Sequence, residues 1–387
     1  MAGLIPLSVP FIRGNESRYV KECLDTAWVS TAGKYVELFE EKICSFTGAK
    51  YAIACVNGTS ALHVSLRIVG VKTDDEVIIP TVTFIAPVNA VNYLGAHPLF
   101  MDCDDYYNID VKKVQQFLEQ ETFRANGFTW NKMTKRRISA FVPVHIFGNP
   151  VNLEPLMELL RESNIKIVED ASESIGSKYV SGTLNGQHTG NIGDMGCFSF
   201  NGNKIITTGG GGMIVTNNPT YAAKATYLTT QAKDDSIYYV HNEVGYNYRM
   251  PNVNAAIGLA QLEMLEKFIE AKEKNYHIFK ERISDIIGLF IVDVPAYAKV
   301  NYWHYALRID RECYGKGRDG LMDFLHNREI QTRPLWHLNH EQKPYSHCQA
   351  YKIEHAPKML AETLNIPCSV GLTETELERV VAALLND

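Results

Sequence analysis

No apolar run in the 387-residue chain approaches the roughly 18 residues that a helix needs to cross a bilayer. The opening stretch, MAGLIPLSVPFIRGNE, holds two prolines and no basic n-region, which argues against a secretory signal. Charge of one sign is scarce as well: 38 Lys and Arg against 44 Asp and Glu leave a net −6. A broad cationic face for nucleic acid or anionic lipid is therefore not expected. The short run Lys135-Arg136-Arg137 leads straight into apolar residues and reads as a solvated strand entry. Of the eight cysteines no two stand at a Cys-x-x-Cys spacing, so neither a metal site nor a redox motif is expected. Several, such as Cys55 in YAIACV, sit in apolar runs and read as buried, reduced thiols. Internal repeats, low-complexity segments and the P-loop pattern GxxxxGK[ST] are also missing. What is left is a soluble, cytoplasmic chain of ordinary composition, long enough to bury a large core without staples.

Up to about residue 215, apolar runs alternate with amphipathic stretches. Strands are predicted at 51–56, 76–80, 97–103, 138–147, 165–170, 195–200 and 211–216, with helical patterns such as SALHVSLRIVG and LEPLMELLRESN between them. Continuous apolar strands separated by helices indicate an α/β fold, a three-layer, mostly parallel sheet covered on both faces. After Pro251 the character changes. One long helical pattern over 252–286 leads into a smaller C-terminal α/β unit, with YWHYALRID as a strand and TETELERVVAALL as a terminal helix. The expected division is a large domain over 1–250 and a small one over 251–387. Residues 118–137 read as an exposed excursion between strands with no assigned structure.

In parallel sheets ligands gather beyond the carboxyl ends of the strands, and four signals fall there. Asn57-Gly58-Thr59-Ser60 sits between a strand and an apolar helix. It suits a phosphate at the helix N-terminus, the alternative being a plain hydroxyl N-cap. Asp170 ends IKIVED, where a buried carboxylate is costly unless a cation meets it; the alternative is an N-cap for ASESIGS. Lys204, in SFNGNKIITTGGGG, has no acidic neighbour along the chain, and desolvation would lower its pKa toward a nucleophilic amine. The alternative is a surface lysine. Phe84, soon after EVIIP, offers a ring for stacking on a flat cofactor or, alternatively, for the core.

The order and wording of these segments resemble the nucleotide-sugar aminotransferases, pyridoxal-phosphate (PLP) enzymes of the aspartate-aminotransferase fold (fold type I). The similarity runs from WVSTAGKYVELFE to the terminal helix. It implies that Lys204 carries PLP as a Schiff base and later shuttles the proton. Asp170 would pair with the pyridine nitrogen and Phe84 would stack on the ring. Gly58, Thr59, Ser60 and Ser199 would hold the phosphate, completed by Asn247 from the neighbouring subunit of a homodimer. Two departures stand out: Glu173 where relatives often have glutamine at the ring hydroxyl, and Gly210 where they have glutamate.

SFNGNKIITTGGGG and TRPLWHLNHEQKPY look like the branch acting on UDP-linked 4-keto-6-deoxy-N-acetylhexosamines of bacillosamine and legionaminic acid synthesis. That branch would bring Trp336 and His340 to the sugar, with a hydrogen-bonded loop histidine as the alternative for His340. The implied reaction takes the amino group of L-glutamate and places it on the 4-keto carbon. GDP- or dTDP-linked sugars, of perosamine or 3-keto type, are the alternative substrates. A sugar dehydratase would carry histidine in place of Lys204. TRPLW and GYNYRM count against a threonine aldolase. A regulatory protein keeping the fold would have lost Lys204 or Asp170, and both are present.

Overall fold

The computed structural model describes residues 3–235 and 237–385. Among the described residues sixteen strands occur in chain order. The first ten are β1 (Tyr51–Cys55), β2 (Glu76–Pro80), β3 (His97–Met101), β4 (Thr122–Ala125), β5 (Phe128–Asn131), β6 (Arg137–Phe141), β7 (Lys166–Asp170), β8 (Lys178–Tyr179), β9 (Met195–Ser199) and β10 (Gly212–Thr216). They are followed by β11 (Leu289–Ile291), β12 (Ala298–Lys299), β13 (Tyr305–Ile309), β14 (Arg333–Pro334), β15 (Ala350–Tyr351) and β16 (Thr363–Ile366).

The main sheet runs β1-β10-β9-β7-β6-β2-β3-β15. Neighbours from β9 to β15 pair in parallel, and β10 is antiparallel to both β9 and β1. Along this path β10 alone runs backwards, so the mostly parallel sheet is present and β1, β2, β7 and β9 end at one edge. Two-residue periodicity supplies both covering layers. In β2 and β3, Ile78 and Leu99 enter one core while Val77, Ile79 and Phe100 enter the other. Each such side chain contributes about 1.5–3 kcal/mol of burial. The helix Gly58–Ile68 packs against β9 and β10, with Ala61, Leu62, Val64 and Leu66 fully or almost fully buried.

A second, antiparallel sheet, β11-β13-β16-β14, packs with the helices Leu265–Ile283 and Glu374–Leu385 around Phe279, Leu307, Leu364 and Val381. Strands β8 and β12 form a separate pair. The start of the chain belongs to this second core. Ile5 bridges Ile330 in parallel, its N–H donating to Glu329 O at 2.8 Å and its carbonyl accepting from Gln331 N at 2.9 Å. A division after residue 250 also passes through a packed layer, because the helix Asn252–Leu262 lies against the helices Glu16–Asp25 and Lys34–Thr47. No helix among the described residues is long and apolar enough to cross a membrane.

Four local readings are corrected. The helix expected over 252–286 is two, Asn252–Leu262 and Leu265–Ile283, separated by a turn in which Met264 N bonds to Gln261 O. The strand expected over 138–147 stops at Phe141, because the chain beyond it bends to serve other partners. Phe147 takes a left-handed φ of 57° and gives its N–H to Glu173 Oε2. In YWHYALRID only Tyr305–Ile309 is strand; Tyr302 has φ 54°, and Asn301 Oδ1 accepts the Trp303 N–H.

The 118–137 excursion is a hairpin, β4 with β5, which β5 joins antiparallel to β6. Its turn is Asn126-Gly127 with φ 53° and 76°, the pair favoured by a two-residue hairpin because both positions need positive φ. It is not wholly exposed. Thr129 and Asn131 are buried, and Asn131 Nδ2 donates to Glu76 Oε2 and Gln349 Oε1, both at 2.7 Å. A Cβ at Gly127 meets nothing within 4 Å, so only backbone strain opposes a side chain there. Gly127→Ala should therefore cost about 1–2 kcal/mol. Urea unfolding would read the loss, and an unchanged midpoint would contradict the turn.

Candidate active site

The shared carboxyl edge of β1, β2, β7 and β9 opens into a cavity of about 300 Å³. At one end is the first turn of the helix Gly58–Ile68. Asn57 is extended and accepts Ser60 N at 2.8 Å, which caps the helix and spends the Ser60 N–H. Gly58 and Thr59 line the cavity, as does Ser199 at the end of β9. A Cβ on Gly58 would stand 2.8 Å from Ser199 Cβ, so a side chain there would displace Ser199. Gly212 is equally constrained, since a Cβ would lie 2.4 Å from the Asn57 carbonyl. Glycine here lets β10 approach the loop closely. Gly210 has open space around it, so a side chain would fit there. Hydroxyls and a helix N-terminus around one hollow make an anion seat.

Across the cavity Asp170 closes β7. It is buried, its Oδ1 accepts Ser172 N at 3.0 Å, and burial raises its pKa while Ser172, Lys204 and His145 pull it back. Turns rather than a helix follow it, so the N-cap alternative falls. Glu173 is buried beside it. Burial pushes its carboxyl up to about 7, with Lys204 and the Phe147 N–H acting in the opposite direction. Phe147 N donates to Oε2 at 2.9 Å, and Lys204 Nζ lies 3.5 Å from Oε1. The lysine without carboxylate company along the chain thus has it in space, which corrects that expectation. Lys204 is not a surface lysine either: its side chain is only 13% exposed, and Nζ stands 4.1 Å from the centroid of the Trp303 ring.

Phe84 keeps 54% of its surface exposed while lining the cavity, so it does not serve as core. Trp336 lines the rim and packs against Phe147 with centroids 5.3 Å apart. Three candidate residues are not brought to the cavity wall of their own chain. Ser60 is buried with its N–H committed to Asn57. His340 is held aside by a 2.7 Å hydrogen bond between Nδ1 and Thr81 Oγ1, which matches the loop-histidine alternative. Asn247 is exposed and bridges Thr230 instead.

The structure adds Trp303, whose Nε1 donates to Asn203 O at 2.8 Å, together with Asn201 and Asn203 of the lysine loop. An aromatic ring in the segment YWHYALRID was visible, but reading that segment as strand hid its turn toward the lysine. An anion seat, a ring-sized slot beside an exposed aromatic face, a buried carboxylate and a lysine fit PLP. Asp170 is the decisive match, because a pyridinium nitrogen would supply the cation that its burial calls for.

Comparison with known proteins gives the same answer. Residues 10–385 match the DegT/DnrJ/EryC1/StrS aminotransferase family. The chain belongs to this family. Its relatives include GDP-perosamine synthases, that of Caulobacter vibrioides being 37% identical over 98% of this chain and 97% of the relative. A putative pyridoxal phosphate-dependent aminotransferase, EpsN of Bacillus subtilis, is 32% identical over 99% of this chain and 95% of its own length. Among solved structures, DesI with its TDP-sugar product superposes with TM-score 0.87 at 25% identity, covering 99% of this chain and 93% of the other. The protein is thus a PLP-dependent sugar aminotransferase of fold type I, and the reading as a non-catalytic regulator is set aside.

In the aminotransferase without cofactor, the buried acid sets a pH dependence. A carboxyl whose folded pKa lies near 7, against an ordinary value of 4.5, holds its proton more tightly when folded. Stability from that group is full below about pH 4.5 and is lost as pH rises to about 7, amounting to about 3 kcal/mol. Glu173→Gln keeps an acceptor for the Phe147 N–H and removes the titration. Cofactor-free Glu173→Gln should unfold at higher urea than the parent at pH 8, with the gap closing at pH 5. A gap independent of pH would refute this.

Proposed function

We propose that this aminotransferase moves the amino group of L-glutamate to the 4-keto carbon of a GDP-linked 4-keto-6-deoxyhexose, with Lys204 binding the cofactor and carrying the proton. The observation behind the chemistry is that Lys204 and the buried Asp170 face one cavity beside an exposed aromatic ring. The nucleotide rests on the company the chain keeps. GDP-perosamine synthases at 37%, 36% and 34% identity support a GDP-sugar of perosamine type. The UDP-linked N-acetylhexosamine expected from SFNGNKIITTGGGG gives way to that alternative, because a loop next to the cofactor reports on the shared chemistry more than on the nucleotide.

When bound, PLP supplies a conjugated pyridinium ring that takes up the electron pair released as a C–H bond breaks. Asp170 keeps that ring nitrogen cationic through its carboxylate. Phe84 covers one face of the ring, and Glu173 meets its hydroxyl. Gly58, Thr59 and Ser199 hold the phosphate at the helix N-terminus. Lys204 would carry the proton between the cofactor's methylene carbon and C4 of the sugar, and so would set the configuration there. Its ammonium form is met by Glu173 at 3.5 Å and by the Trp303 ring at 4.1 Å. Trp336, at the rim, stands where the sugar enters.

The purified protein should show a visible absorption band from lysine-bound cofactor. L-glutamate should bleach it, and a GDP-linked 4-keto-6-deoxyhexose should restore it. Lys204→Ala should lack the band and the turnover while keeping the fold by circular dichroism. Recovery with the UDP-linked N-acetylhexosamine but not the GDP-sugar would return the substrate to the UDP branch, and amination by Lys204→Ala would end the lysine assignment.

A homodimer with shared sites is part of this proposal. Asn247 is exposed and away from its own cavity, as a residue that reaches a partner's phosphate seat must be. Mixing the two deficient variants Lys204→Ala and Asn247→Ala gives hybrids with one intact site in two, so about a quarter of the parent rate should return on subunit exchange. No recovery, with exchange verified by native mass spectrometry, would show that Asn247 does not complete the partner's site.

A further inference from the structure

The strap that carries Trp336 ends at an edge of the main sheet where a second site is assembled. Beyond Trp336 this strap is fixed to the carboxyl end of β2 by Asn339 Nδ2, which donates to the Thr81 and Thr83 carbonyls at 3.1 and 2.6 Å. It then joins the main sheet as β15, parallel to β3, with Ala350 opposite Phe100 and Tyr351 opposite Met101. Phe100 N donates to Gln349 O at 2.9 Å, so the pairing extends to the residue before β15. His347 and Cys348 lie in the turn that leads into β15, where Cys348 N donates to Tyr345 O at 2.9 Å, and this turn comes against His97 at the start of β3. One ligand atom from each of His97, His347 and Cys348 lies within 4.8 Å of the other two.

We propose that His97, His347 and Cys348 form a divalent transition-metal site of the zinc class, clamping the strap to the edge of β3. Two imidazoles and a thiolate are a borderline-soft N/S set, suited to zinc with a water or carboxylate in fourth place. The geometry agrees with one shared ion. Zinc bonds of about 2.3 Å to sulfur and 2.0–2.1 Å to nitrogen, at a tetrahedral angle, put sulfur and nitrogen about 3.6 Å apart. Cys348 Sγ and His347 Nε2 are 3.7 Å apart. His97 has a carboxylate companion, its Nε2 lying 3.3 Å from Asp74 Oδ1. A metal-bound histidine commonly keeps such a partner, and Asp74 can alternatively enter the fourth position.

Arg136 and Glu76 are the charged groups felt by the Cys348 thiol, and they act on it in opposite directions. A search for Cys-x-x-Cys spacing could not reveal this group, since His97 is distant in sequence from the adjacent His347 and Cys348 and only the fold brings them together.

The holoenzyme, free of any affinity tag, is equilibrated with zinc under reducing conditions, passed through metal-free buffer and assayed for zinc by elemental analysis. Alkylation of Cys348 is followed by peptide mass spectrometry with and without the metal. One zinc per chain should be retained by the parent protein and lost in Cys348→Ser and in His347→Ala, neither of which removes a fully buried side chain. Bound zinc should slow Cys348 alkylation, and Asp74→Ala should weaken binding by about tenfold. A parent protein without zinc, variants that retain as much as the parent, or alkylation indifferent to zinc would each overturn the proposal.

Discussion

A carboxylate buried at the end of a central strand is the constraint around which the active site is arranged. Asp170 comes last in β7, between β6 and β9, where water is excluded on both faces of the sheet. Leaving such a group without a cation costs several kcal/mol, so the fold has to bring positive charge to it or keep it protonated. Lys204 and His145 both lower its pKa, and an Asx-type turn to Ser172 holds one oxygen in place. Glu173, three residues on, repeats the problem and receives a similar answer, with a backbone N–H on one oxygen and the lysine near the other. Two acids and one base in a dry site leave room for one more cation. A protonated pyridine ring would supply it.

The elements around this pair are irregular in ways that serve it. Phe147 adopts a left-handed conformation that costs a bulky residue about 1–2 kcal/mol. That cost is tolerated because its N–H reaches Glu173, its ring stacks near Trp336 and Trp303, and Gly148 follows with no space for a side chain against Asn301. Asn301 in turn bonds the Glu173 and Ile175 carbonyls and the Trp303 N–H. One asparagine thus ties the loop of the acid to the ring beneath the lysine. Phe147 and Tyr302 are left-handed non-glycine residues that flank this site; others, such as Asn126 and Asn164, lie in turns away from it.

Much of this was legible in the residues. Apart from the end of β6 and the short β15, the apolar runs located the parallel strands within a residue or two, since a doubly covered strand has to be apolar throughout. Asp170, Phe84, Lys204 and the Gly58-Thr59 turn were recognisable because each combines an unusual residue type with a strand end. The misreadings share one cause. In ISAFVPVHIF and YWHYALRID an apolar run extends beyond the strand, and composition does not reveal that Phe147 turns to give its N–H to Glu173 or that the turn at Tyr302 leads to the Trp303 ring beside Lys204. Local pattern also could not show that His340 has a hydroxyl partner in Thr81, a tertiary neighbour, whereas the Asn57 side chain that accepts the Ser60 N–H is a local cap that was read as a hydroxyl cap instead. The Asn126-Gly127 hairpin is different, for its turn signal lay in the sequence and was passed over. The nucleotide was the least legible feature, because a handful of rim side chains can retune it without touching the cofactor's residues.

The bridge between Ile5 and Ile330 has a consequence for how the chain is made. Ribosomes add about 5–20 residues per second, so the first of these partners waits on the order of tens of seconds for the second. Throughout that interval the main sheet can close around residues 51–216, while the opening segment has no strand to join. The bridge beside the small sheet can form only when residues 5 and 330 meet. Ile5 therefore stays unbridged until residue 330 has been made, and a ribosome that stalls before it would leave residues 51–216 folded beside an unpaired segment.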